Sequence, residues 1–207
     1  MYLSDRDLQA AIASKALIFE PAPDRIDPTS IDLHLGPLAE AKIWDIESFA
    51  EHEASAGRAR PELRVGRYKL VSFSRYLMDP PPHREGGDDL VCRRGNEVIV
   101  RTGGFLLWPT REVVGTPLDN AQFIAFVDGK STKARAGIVV HLTAPTIHAA
   151  WAGNITLEIA NFGPFDLVLQ EGDVIAQITV AKVTSPPSRT LGSNSITHGQ
   201  TGADGMP

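Results

Sequence analysis

From Glu97 to Val183 the chain is a succession of short strand-like runs: EVIVR, GFLLW, REVVGT, AQFIAFV, GIVVHLTA, NITLEIAN, DLVLQ and DVIAQITVAKV. Gly, Pro, Asn or Asp separates most of them at close spacing. Short β-branched and aromatic runs cut by turn formers specify strands. A parallel βαβ sheet needs a helix-length crossover between strands, and this half of the chain offers only one helical turn, STKARAG. The expected fold is therefore mainly β, a barrel or sandwich.

The front of the chain adds a helix. In SDRDLQAAIASKAL, Ser4 is the N-cap, Asp5 and Asp7 occupy the first turn, and Leu8, Ala11 and Ile12 form one face, which predicts a helix from Asp5 to Ser14. Ile31, Leu33 and Leu35 alternate with Asp32 and His34, so a strand runs up to Gly36. Residues 39–95 carry the weakest patterns. There IESFAEHEASAGRARPEL reads as a short helix plus loop, RYKLVSF as a strand and DPPPHREGGDD as loop. The end, TSPPSRTLGSNSITHGQTGADGMP, has the composition of a disordered tail, or of an arm that orders over a ligand. Together these predict one domain over residues 1–207, with 184–207 as a flexible arm.

Composition narrows the function. The 207 residues carry a net charge of −5 with both signs mixed, which argues against a nucleic-acid surface but leaves room for a phosphorylated ligand on a few local cations. Apolar runs such as GIVVHL are too short to span a bilayer, and MYLSDRDLQAAIAS does not read as a secretory leader. Cys92 is the only cysteine, which fits a reducing cytoplasm and rules out an internal disulfide or a Cys-rich zinc site.

Three features carry chemistry. DGKSTKARAG, residues 128–137, sets two hydroxyls and the cations Lys130, Lys133 and Arg135 beside Gly129. It can cradle phosphates, although it lacks the spacing of a P-loop; the plainer reading is a polar turn. His141 and His148 lie seven residues apart with no carboxylate at ligand spacing, which makes a poor zinc pair. Zinc nucleobase deaminases need H-x-E with P-C-x-x-C, and neither motif is present. Glu158 is the only carboxylate in TIHAAWAGNITLEIANFG, where it shares a strand face with Thr156 and Ala160. On a solvent face it is an ordinary strand residue; lining a cleft it is a candidate general base. Periodicity does not choose between these.

Taken in order, IDPTSIDLHLG, DGKSTKARAGIVVHLTA, TIHAAWAGNITLEIAN and the tail HGQTG resemble the dCTP deaminase branch of the dUTPase superfamily. Residues 39–95 are left unmatched, as an insertion. Trp151, Gly153, Ile155, Leu157 and Glu158 match the family's W-x-G-x-I-x-L-E strand, and GKST…AR its Gly-Arg-Ser-Ser…Ala-Arg loop. The resemblance implies a homotrimer of distorted β-barrels (dUTPase-like, β-clip) with a short N-terminal helix and active sites between subunits. It implies hydrolytic deamination of dCTP to dUTP and ammonia, without zinc and with Mg²⁺ carried on the triphosphate. Glu158 would take a proton from the water that attacks C4 of cytosine, then pass protons to N3 and the leaving ammonia, in a site kept from bulk water. Ser131 and Arg135 match the residues that hold the phosphates and surround that water, and Lys130 and Thr132 belong to the same loop. Val140 and Ala144 fall in the segment whose backbone reads the cytosine edge, and Gln200 matches the tail Gln that closes over the nucleotide. Asp32 matches the superfamily's first motif, where a structural or phosphate-side role is expected.

The departures from the pattern are specific. Lys130 stands for the usual Arg and loses the bidentate fork. Thr146 and Pro145 replace a common Arg and His, and Ile196 and Thr197 stand where Lys and Tyr are usual. His148 occupies the position of the Asp that activates water in the pyrophosphatase branch. Deamination is the first expectation. A dUTP pyrophosphatase, a bifunctional deaminase/dUTPase, or a non-catalytic nucleotide-binding trimer of the same fold are the alternatives.

Overall fold

The computed structural model describes residues 1–57, 62–63, 65–67, 69–119, 121–185, 187–188 and 199–203. Helix α1 spans Asp5–Ala13, one residue short of the expected end. The Ser4 hydroxyl accepts from the Asp7 amide while the Asp7 carboxylate reaches back to the Ser4 amide, so two of the orphan donors at the helix start are satisfied reciprocally. Leu8 and Ala11 are buried beneath it.

The strands follow in chain order. They are β1 (Ile18–Glu20), β2 (Ile26–Asp27), β3 (Ser30–His34), β4 (Ile43–Trp44), β5 (Leu77–Met78), β6 (Val91–Arg94) and β7 (Glu97–Val100). Then come β8 (Phe105–Gly115), β9 (Phe123–Gly129), β10 (Ile138–Val139), β11 (Thr146–Ile147), β12 (Ala152–Asn161), β13 (Leu167–Gln170) and β14 (Val174–Lys182). One sheet is ordered β1-β8-β12-β10 and a second β11-β9-β14-β3-β2. Two smaller sheets are β13-β7-β6 and β4-β5. All pairings between named strands are antiparallel. The two larger sheets share one core, in which Leu33, Leu106, Trp108, Leu157, Ile159 and Ile178 are fully buried, and a Leu35–Thr110 bridge links them. The result is mainly β with a short N-terminal helix, as expected; the sheets stay distinct rather than closing into a regular barrel.

Alternation on β8 and β12 decides what faces inward. Leu106 and Trp108 point to the core, as do Leu157 and Ile159. The Trp108 indole N–H is not left unpaired: it lies 3.1 Å from the Gly36 carbonyl and 3.2 Å from that of Pro37.

Four details depart from the sequence reading. GFLLW and REVVGT form one strand, β8, which runs through Pro109 with its register broken. GIVVHLTA is a strand only over Ile138–Val139. VCRR forms β6, unread in the sequence. The expected strand RYKLVSF is instead helical over Leu70–Phe73. A short apolar run does not distinguish helix from strand. Here Phe73 stacks with Phe49 and Tyr76, at ring separations of 5.7 and 6.0 Å, in a satellite cluster with helix Ile46–Ser55.

Candidate active site around Glu158

Glu158 sits in mid-strand on β12, opposite Leu107 of β8. On its other side β10 pairs through Val139 with Ala160 and Ile138 with Asn161, so the chain leaving β10 passes beside Glu158. The Leu142 amide donates to Glu158 Oε2 at 3.2 Å. The carboxylate is half-buried: Leu157 and Ile159 on the opposite face are in the core, while Thr156 and Glu158 are partly exposed. The face is neither open to solvent nor sealed, which is the arrangement a base needs if a ligand completes the cover.

The segment past β10 carries the other expected contacts. Val140 is buried and Ala144 exposed, on either side of the residue that holds Glu158. The backbone of 140–144 is thus brought to the carboxylate, whereas the Ala144 side chain faces outward. His148 is exposed just beyond β11. The chain then turns at Ala150, in the left-handed region at φ 61°, with its amide donating to the Thr116 hydroxyl at 2.7 Å.

The cationic loop follows β9. Ser131–Ala134 form one helical turn. Gly137, at φ 90°, ends it where an added Cβ would stand 2.1 Å from the Gly163 amide nitrogen, so only glycine lets the loop close against the β12–β13 turn. Ser131, Thr132 and Arg135 are exposed, and among the described residues the Arg135 guanidinium has no hydrogen-bond or ion-pair partner. Lys130 is different. Its ammonium lies 2.5 Å from Asp32 Oδ1, 3.3 Å from Gln177 Oε1 and 3.9 Å from Asp27 Oδ2. Asp32 is therefore a loop anchor in this state. Among the described residues no hydrogen bond joins Glu158 to Ser131 or Arg135.

Residues 199–203 lie along β12. The Gly199 amide donates to the Ala152 carbonyl at 2.7 Å, and the Asn154 amide to the Gln200 carbonyl at 2.8 Å. Gln200 is buried, and its side-chain amide reaches the Thr156 hydroxyl at 2.6 Å. Ile196 and Thr197 lie outside the described residues. Thr156 and Gln177 escaped the sequence reading because their partners lie 44 and 47 residues away, with no local pattern to mark them.

A family model described as dCTP deaminase-like matches residues 2–183. The chain belongs to the dCTP deaminase-like family. Among curated relatives within the family, the dCTP deaminase of Natronomonas pharaonis is 31% identical over 98% of this chain and 92% of its own length. A dCTP deaminase, dUMP-forming, of Dictyoglomus turgidum is 32% identical over 90% of this chain and 82% of its own. The crystal structure of the 2'-deoxycytidine 5'-triphosphate deaminase from Agrobacterium tumefaciens shares the fold, with a TM-score of 0.55 at 22% identity, over 86% of this chain and 47% of that one. The family match takes in the cationic loop, the 138–144 segment and Glu158; Gln200 lies beyond its end.

Proposed function

We propose that this protein deaminates dCTP hydrolytically to dUTP and ammonia. The observation that carries the reading is the placement of Glu158: a half-buried strand carboxylate, oriented by the Leu142 amide, in a chain of this family that also carries an exposed loop of hydroxyls and cations. Glu158 accepts a proton from water, the resulting hydroxide adds to C4, and the proton is delivered to N3. Loss of the C4 amino group as ammonia, with a second proton passed through the carboxyl, restores a carbonyl and returns Glu158 to its starting form. No zinc ion enters this scheme, in keeping with a chain that lacks the zinc-deaminase motifs.

Ser131, Thr132 and Arg135 hold the triphosphate, with Lys130 lending its charge when the Asp32 contact loosens. The substrate is the Mg²⁺ complex of dCTP, the ion riding on the phosphates. Backbone groups of Val140 and Ala144 read the cytosine edge, and Gln200 closes the site. The working form is a homotrimer with sites between subunits, acting on cytoplasmic nucleotides. Among the described residues no helix is long and apolar enough to cross a membrane.

A second reading, deamination followed by pyrophosphate release to dUMP, is raised by the relative that bears that name at similar identity. His148 weighs against it, because an imidazole replaces the carboxylate that would activate water at the α-phosphate. Incubating the protein with dCTP and Mg²⁺ and following nucleotides and ammonia together decides the matter. The expected products are dUTP and ammonia in equal amounts with no pyrophosphate. Appearance of dUMP overturns the role given to His148, and absence of any product overturns the enzyme reading.

A further inference from the structure

The arm segment 199–203 follows β12 in the same direction as the strand, with Gly199 at Ala152, Gln200 at Asn154 and Gly202 at Thr156. Two features of β12 make it a seat. Gly153 has no side chain where a Cβ would stand 2.9 Å from the Gln200 nitrogen and 3.0 Å from its oxygen, so the strand surface is cut away under the arm. Thr156 then meets the arm at two points: its hydroxyl accepts from Gln200 Nε2 at 2.6 Å and donates to the Gly202 carbonyl at 3.1 Å. One O–H group makes both bonds, one as acceptor and one as donor, which neither a carboxylate nor an aliphatic side chain can do. Gln200 is buried by the contact, at 7% exposure.

We infer that Thr156 is a positioning residue that latches the arm, through Gln200 and Gly202, next to Glu158 on the same face of β12. The inference rests on the deaminase reading for its consequence, though not for its geometry. Glu158 is two residues further along the strand, so an arm seated at Thr156 lies over the approach to the carboxylate and excludes water from it. An arm released from Thr156 leaves Glu158 in place but the site open. The latch thus acts on substrate retention before it acts on the chemical step.

Two measurements on the full-length protein test this. The first is hydrogen exchange without nucleotide, read at the Gly199 and Asn154 amides and over 199–203. The wild type should protect both amides. Thr156→Val, which keeps the shape and loses the hydroxyl, should raise their exchange roughly three- to tenfold, the loss of a neutral side-chain hydrogen bond, and Thr156→Ser should restore protection. Gly153→Ala should expose the same amides by a different route. The second measurement is steady-state deamination of dCTP: Thr156→Val should raise KM by a similar factor with kcat nearly kept, and Thr156→Ser should recover the wild-type KM. Unprotected amides in the wild type, or a Thr156→Val protein with unchanged exchange and KM, overturn the latch. Protection that depends on Thr156 in a protein that never deaminates dCTP leaves the latch standing and removes the deaminase reading instead.

Discussion

Lys130 and Asp32, 98 residues apart in sequence, are joined ammonium to carboxylate at 2.5 Å. The Gln177 carbonyl accepts from the same ammonium and also from the Ser30 hydroxyl, so the cationic loop is tied to both β3 and β14 before any phosphate arrives. An ammonium is a point charge on a flexible stem and can swing from a carboxylate to a phosphate oxygen without losing a geometric match. Lys130→Met should raise the KM for dCTP by roughly 10- to 100-fold, the worth of a charge-assisted hydrogen bond. Asp32→Asn leaves the cation but weakens the anchor at a partly exposed pair. Thermal melting should show a loss of about 2–4 °C, corresponding to ~1 kcal/mol.

Glu158→Gln separates chemistry from folding. The amide oxygen of Gln can still accept from the Leu142 amide, so the melting temperature should stay within about 2 °C of wild type, as for a conservative half-buried change. On the proposed reading the carboxylate takes the proton from water, so its loss should lower turnover by at least ~10²-fold. Single-turnover assays with the nucleotide pre-bound would show the loss in the chemical step. A variant that keeps its rate removes Glu158 from its role.

The β-rich half was legible because alternation and turn residues are local signals: the core faces of β3 and β14 follow from every second residue, whereas β8 is buried at every position from Leu106 to Thr110. Glu158 was legible as a question, since periodicity gave its face but not what covers that face. Leu142 reaches the carboxylate and the arm reaches Thr156 on the same strand face, contacts 16 and 44 residues apart in sequence. Phe73 was misassigned because its helical turn is held by ring contacts with Phe49 and Tyr76, which no short window of sequence contains. Pro109 suggested a break between strands. It is accommodated because the ladder is already irregular there, between the Asn154–Val113 and Thr156–Pro109 pairs.

Cys92 is fully buried on β6, and removal from water pushes its thiol above the usual range. At neutral pH the group is a protonated thiol with no access to reagents, so a disulfide-exchange dye should titrate no thiol in the native protein and one after denaturation. The pH dependence has a definite sign. The unfolded thiol ionises near ~8.5, while the folded one holds its proton to higher pH. The stability this contributes is present below that value and is lost as the pH rises toward the folded one. Cys92→Ser should flatten that alkaline decline, measured as melting temperature against pH.

The break in β8 is itself built around a buried charge. Thr110, Arg111 and Glu112 lie opposite the single residue Ile155, so their carbonyls leave the ladder, and Asn154 Nδ2 lies 2.9–3.2 Å from all three. This turns Glu112 inward, where at 1% exposure its carboxylate accepts from the His34 amide at 2.9 Å, meets His34 Nδ1 at 2.8 Å and pairs with Arg111 at 2.9 Å. The contact fastens the end of β3 to β8, and Asp32, two residues back on β3, is the loop anchor described above. Glu112→Ala strands the His34 amide and removes the partner of Arg111, whose side chain is 44% exposed and can turn to water, so the cost is that of lost charge-assisted hydrogen bonds, about 1.5–3 kcal/mol. Melting should fall by roughly 3–12 °C. Glu112→Gln still offers an oxygen to the His34 amide and should lose less than half as much. If the two variants melt alike, the charge and not the hydrogen bond is what holds β3 in place.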